Sequence, residues 1–163
     1  MNENGRTSWQ DLGGLVRWLA LVLVVAVIGG MVTRGSVGDW YPQLTQPVFA
    51  PPNAVFGPVW TILYVMMAYA AWRVWRVYGF RGAPWALGAF LVQLALNLLW
   101  SILFFGLQQI GWALFEIVVL WIAILVTIVL FWRLDRIAGA LLLPYLAWVG
   151  FAGFLNHAFW VLN

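Results

Sequence analysis

The chain has no cysteine, no lysine and a single histidine among 163 residues. Without cysteine there is no disulfide, no thiolate metal site and no thiol nucleophile, and the redox compartment cannot be read from thiol usage. One histidine excludes a multi-histidine metal centre, since a closed zinc site takes four ligands. A hydrolytic triad would have to recruit that same His157 with Ser101 and Glu116, and nothing in their spacing supports it. No catalytic set and no metal site are read. Charge is scarce as well: Asp, Glu, Lys and Arg make up 8% of the chain, against about a quarter in a soluble domain. The net charge of +3 comes from arginines near the ends of apolar runs, not from the basic patch that nucleic acid requires. No internal repeat is visible, so the inverted-repeat plan of many secondary transporters is not supported.

What fills the chain is hydrophobic sequence, 65% of residues, with a mean hydropathy of +0.94. Five apolar runs, residues 12–33, 55–75, 83–107, 111–132 and 138–161, are each long enough to cross a hydrocarbon core of roughly 30 Å. The fold class is therefore all-α: one polytopic membrane domain over residues 1–163, a bundle of five transmembrane helices. The first run is too long for a signal-peptide core, and "GGMVTRGSVG" offers no convincing cleavage site, so it reads as a retained helix. Arg6, Arg17, Arg73, Arg76, Arg81, Arg133 and Arg136 fall on one side of a five-span chain, and Arg34 falls on the other. Positive charge stays inside, which predicts a multi-pass cell-membrane protein with a cytoplasmic N-terminus and an outer C-terminus. Pro144, inside the fifth run, is expected to kink that helix.

Residues 34–54 form the long connection, and it differs from the short hairpins elsewhere. From Asp39 to Trp60 the chain reads "DWYPQLTQPVFAPPNAVFGPVW", with five prolines and five aromatic residues. Each proline fixes one backbone angle and biases its predecessor toward extended geometry. Such a loop loses little entropy on ordering, and its apolar surface favours folding back over the helices as a lid on the outer face. The competing reading is an interfacial segment resting among lipid headgroups.

Thirteen tryptophans are the largest compositional excess. Most fall near span ends, where indole rings favour the headgroup level. Trp60, Trp100, Trp121 and Trp148 sit deeper, where an indole N–H needs a partner that lipid does not supply. Helical spacing groups three stripes: Gln93, Asn97 and Trp100 on the third span; Trp60, Tyr64 and Met67 on the second; Tyr145, Trp148, Ala152 and Asn156 on the fifth. Each amide alone reads as interhelical hydrogen-bonding glue. Flat aromatics, amides and one small residue together fit a cavity for a large planar apolar molecule. Glu116, an intramembrane carboxylate, has two readings, a functional group or a lock between helices. His157 alone reads as a polar residue near the interface.

These segments resemble the TspO/MBR family, the tryptophan-rich sensory and translocator proteins, also called peripheral benzodiazepine receptors. The resemblance covers all five spans and rests on "WYPQLTQPVFAPPNAVFGPVWTILY", "QLALNLLWSILFFG", "GWALFEIVVL" and "PYLAWVGFAGFLN". It implies a five-helix bundle, commonly a homodimer among membrane lipids, whose first loop closes a cavity. It further implies binding of porphyrin-type tetrapyrroles (protoporphyrin, haem) and drug-like lipophiles, with no resident cofactor, in stress response or tetrapyrrole homeostasis. By the same resemblance Trp60, Gln93, Asn97, Trp148 and Ala152 match the pocket positions, and Tyr41, Pro51 and Pro52 match the loop motif. Tyr64, Trp100 and Tyr145 join them from the stripes. Two other functions go with the resemblance: transport of tetrapyrroles or lipids, and light- and oxygen-dependent porphyrin degradation with Trp60 and Trp148 as redox-active rings. The chain departs from the family in the loop, where Gln46-Pro47 and then Phe49 replace a Lys-Pro pair followed by tryptophan. It also ends "FWVLN", without the cation of the animal sterol motif.

Overall fold

The computed structural model describes residues 8–163; Arg6, counted above for orientation, lies outside the described residues. Helix α1 runs Ser8–Asp39, α2 Asn53–Gly82, α3 Pro84–Ser101, α4 Ile110–Leu134, α5 Arg136–Leu141 and α6 Leu143–Leu162. A π-helical turn, Ile102–Gly106, prolongs α3, and a short 3-10 turn, Tyr41–Gln43, follows α1. No strand occurs among the described residues. Helices α5 and α6 together make the fifth span, so five apolar segments are long enough to cross a membrane. Their outward faces carry exposed Leu, Val, Ile and Trp side chains, as a surface in lipid requires. The chain is a multi-pass membrane protein.

Two boundaries differ from the sequence reading. Helix α1 does not stop at Thr33 but continues to Asp39. Gly35, Ser36 and Gly38 look like loop punctuation, yet the Ser36 hydroxyl donates to the Phe105 carbonyl, tying this extra turn to the π-helical segment. Helix α2 begins at Asn53, so the connection narrows to residues 40–52. At Pro144 the fifth run is interrupted rather than merely bent. The helix breaks at Leu142 (φ −90, ψ −9), just ahead of Pro144, which lies in the first turn of α6, where its missing donor has no partner to lose.

The remaining turns follow their residues. Gly79 takes φ 61 and turns the chain near the end of α2, a conformation that glycine adopts without a Cβ clash. Between α4 and α5, Asp135 accepts from the backbone N–H groups of Ile137 and Ala138, at 2.9 and 3.1 Å, capping α5. The same carboxylate receives Arg73 Nε from α2 at 2.8 Å. Burial alone would raise its pKa; the Arg73 and backbone hydrogen bonds outweigh that and hold the carboxyl below its ordinary value.

The packed core occupies the half of the bundle away from the 40–52 connection. There Ala68, Ala70 and Ala71 of α2 and Ala86 of α3 are buried, and their small side chains let the helices approach closely. Phe90 of α3 stacks on Phe131 of α4, with centroids 5.9 Å apart. At the same end of α1, a Cβ on Gly14 would lie 2.1 Å from the Trp75 ring, so any larger residue there would have to displace that ring. Trp18 and Trp72 were expected at the headgroup level. Both are buried instead, and Trp72 Nε1 donates to the Asp11 carbonyl at 2.8 Å.

Candidate functional site: an aromatic cavity beneath the first connection

The loop-side half is built differently. A cavity of about 490 Å³ opens between α1, α2, the end of α3 and α6. That volume lies within the roughly 300–1,000 Å³ of small-molecule sites. Helix α4 contributes nothing to its wall. Glycines make the room: a Cβ on Gly30 or Gly57 would meet nothing within 4 Å.

Rings make the wall. Trp60 of α2, Trp100 of α3 and Trp148 of α6 all face the cavity, together with Phe56, Phe104 and Phe105. They brace one another. Trp60 lies 5.4 Å from the Tyr64 ring, Phe56 meets Trp148 edge-on at 5.8 Å, and Trp100 stacks on Phe104 at 5.3 Å. Indole N–H groups in such a place need acceptors. Trp100 Nε1 donates to Asn156 Oδ1 at 3.1 Å, and Asn156 Nδ2 donates to the Ile110 carbonyl at 3.0 Å. Trp148 also lines the cavity, but its Nε1 is enclosed by the protein and has no acceptor among the described residues.

Of the site residues read from the sequence, Tyr41, Trp60, Tyr64, Trp100, Trp148 and Ala152 come together on this wall. Pro51, Pro52, Gln93, Asn97 and Tyr145 do not line it. Asn97 stands one shell behind, accepting from the Tyr64 hydroxyl at 2.7 Å. Tyr145 is fully buried against Trp60, with ring centroids 6.2 Å apart. Gln93 is on the same helical face as Trp100, but seven residues of helix carry it about 10 Å deeper, where it is fully buried. Pro51 and Pro52 end the connection just before α2. Trp121, from the fourth span, lies away from the cavity, 36% exposed, with its Nε1 3.3 Å from where a Cβ on Gly150 would sit.

The connection itself packs on the bundle. Tyr41 is buried, 5.3 Å from the Phe159 ring and 5.9 Å from the Phe105 ring, and that burial pushes its phenol pKa up. Phe49 stacks on Phe154 at 4.9 Å. Asn163 and Thr45 exchange two hydrogen bonds, 2.8 and 3.3 Å, closing the connection onto the end of α6.

Sequence reasoning missed the contribution of α1. Ala26, Gly29, Gly30, Thr33 and Arg34 all line the cavity. The signal was available in Arg34, the one arginine on the loop side, but ending the helix at Thr33 assigned it to the loop.

Comparison with known proteins agrees with the segments quoted above. The TspO/MBR family profile matches residues 18–161. The tryptophan-rich protein TspO of Archaeoglobus fulgidus is 42% identical over 149 residues, 91% of this chain and 96% of the relative. The Homo sapiens translocator protein is 38% identical over 135 residues, 82% of this chain and 80% of the relative. The tryptophan-rich sensory protein of Cereibacter sphaeroides is 36% identical over 149 residues, 90% of this chain and 92% of the relative. With the profile spanning nearly every membrane segment, this chain belongs to the TspO/MBR family.

Proposed function

We propose that the protein is a membrane receptor or sensor that takes porphyrin-type tetrapyrroles, protoporphyrin or haem, into the cavity between α1, α2, α3 and α6. The observation that carries the reading is the ring-lined cavity of about 490 Å³, with Trp60, Trp100 and Trp148 in its wall. Planar apolar ligands gain most from flat π-faces, and three indoles in one small-molecule-sized space supply them. The relatives' names, sensory protein and translocator protein, support a signalling or ligand-handling role over hydrolysis. Helix α4 carries Glu116, but it lies outside the cavity wall, so its buried carboxylate is assigned to packing between helices rather than to ligand.

In this reading the 40–52 connection is a lid. Its prolines pre-set the backbone, and Tyr41, Phe49 and Thr45 hold it to the bundle through the contacts described above. The protein lies in the cell membrane with this connection outside, following the arginine bias. A cysteine at Val48, which is fully exposed on the connection, should react with an impermeant maleimide on intact cells, and one at Ile137 should not. The opposite pattern would reverse the orientation.

Titration of the purified full-length protein with protoporphyrin, followed by tryptophan quenching and by the shift of the porphyrin absorption band, tests the binding. Saturable quenching with a shifted band is expected; unsaturable quenching with an unshifted band would reject the tetrapyrrole. A flux assay in sealed vesicles separates binding from transport, and porphyrin that stays intact under light and oxygen separates it from degradation.

A further inference from the structure

The cavity wall has one charged side chain among the described residues, Arg34. It lies on the last turns of α1, exposed at the loop-side mouth, where a guanidinium can meet a ligand without being stripped of all its water. No carboxylate lines the cavity, and the salt bridge among the described residues joins Arg73 to Asp135 at the other end of the bundle. Among the described residues Arg34 therefore has no anionic partner.

Most other polar groups on the wall are already engaged. Thr33 and Thr61 donate to the carbonyls of Gly29 and Gly57, at 2.8 and 2.9 Å. Tyr64 donates to Asn97, and Asn156 is held between Trp100 and Ile110. What remains open includes two donors, the Arg34 guanidinium and the Asn53 amide. Asn53 is also the first residue of the long helix α2, whose N-terminus has no side-chain cap. Its positive dipole end thus lies at the same cavity.

We propose that Arg34 is an anion-selecting residue at the cavity mouth, pairing with a carboxylate of the bound planar ligand while its ring body lies among Trp60, Trp100 and Trp148. The ligand class is thereby narrowed to planar apolar molecules that carry a carboxylate on one edge. The 40–52 connection carries no cation of its own, and Arg34 supplies one from α1. Arginine suits the task because its planar fork can meet both carboxylate oxygens at once. The inference deepens the tetrapyrrole reading and rests on it for the ligand's ring body.

The test compares protoporphyrin with its dimethyl ester, which has the same ring and no charge, on full-length wild type, Arg34→Gln and Arg34→Lys in nanodiscs of neutral lipid. Wild type should bind the free acid about tenfold more tightly than the ester, the scale of one charge-assisted hydrogen bond. Arg34→Gln should remove that preference by weakening the acid alone, and Arg34→Lys should keep part of it. Raising the salt should weaken acid binding in wild type and leave Arg34→Gln unmoved. Equal affinity for acid and ester in wild type, or equal losses of both in Arg34→Gln, would overturn the assignment. Pyrenebutyrate and its methyl ester form a second pair that does not depend on the tetrapyrrole. If neither porphyrin binds, the tetrapyrrole reading fails; an Arg34-dependent preference for pyrenebutyrate then still supports the anion site, and its absence overturns it.

Discussion

Helix α1 uses glycine in opposite ways at its two ends. At Gly14 the missing side chain allows close approach, because a Cβ would lie 2.1 Å from the Trp75 ring. At Gly30, on the cavity wall, the missing side chain leaves space, with nothing within 4 Å. The two halves of the bundle share this contrast. Away from the connection, alanines and stacked phenylalanines close the helices together; beneath it, glycines and indoles hold them apart. One half is closely packed and the other encloses the cavity, so damage to each should read out differently.

The largest effect should come from putting the same side chain at both glycines. Gly14→Leu overpacks a closed contact and should destabilise the protein by about 3 kcal/mol, the upper end for inserted core volume. Gly30→Leu fills open space and should keep or raise thermal stability, since leucine is the better helix former by nearly 1 kcal/mol. It should nevertheless weaken protoporphyrin binding by about tenfold or more. Thermal unfolding in detergent alongside ligand titration checks both; equal stability losses in the two variants would erase the distinction between the halves.

A smaller effect is expected at the Asp135–Arg73 bridge, which ties α2 to the cap of α5 in the closed half. Asp135→Ala removes both the ion pair and the cap and should cost about 2 kcal/mol with ligand affinity unchanged. Because the folded carboxyl has a lowered pKa, its contribution is complete at neutral pH. It is lost as the pH falls below about 4, through the folded-state value. Asp135→Asn should therefore flatten the acid limb of the stability profile, and an unchanged limb would show that other groups dominate it.

The smallest effect belongs to the connection. Replacing Pro51 and Pro52 together with glycine frees two backbone positions, worth about 1 kcal/mol or slightly more. The double variant should release protoporphyrin several-fold faster, by stopped-flow, while Gly30→Leu should chiefly lower occupancy. Unchanged dissociation would make the connection an interfacial float.

Much of this architecture was legible in the residues. Long apolar runs fix five spans because the bilayer leaves no alternative for unpaired backbone, and the deep positions of Trp60, Trp100 and Trp148 marked the wall. What helical spacing alone does not convey is depth and neighbours. Gln93 and Trp100 share a face, but only Trp100 reaches the cavity; Tyr145 shares the stripe of Trp148 and is fully buried against Trp60. The end of α1 was misread because Gly35 and Ser36 look like loop residues, and the long-range bond from Ser36 to the Phe105 carbonyl has no local signature. That one boundary concealed Arg34 as part of the site.

The central claim is that the indoles of the open half bind the ligand directly. It is tested most directly by protoporphyrin titration of Trp148→Ala beside Trp85→Ala, whose ring is 83% exposed at the far end of the bundle. The account predicts that Trp148→Ala loses about 1–3 kcal/mol of binding, by analogy with base–aromatic stacking, along with quenching amplitude, while Trp85→Ala keeps wild-type affinity. Equal affinity and equal quenching in the two folded variants would contradict it.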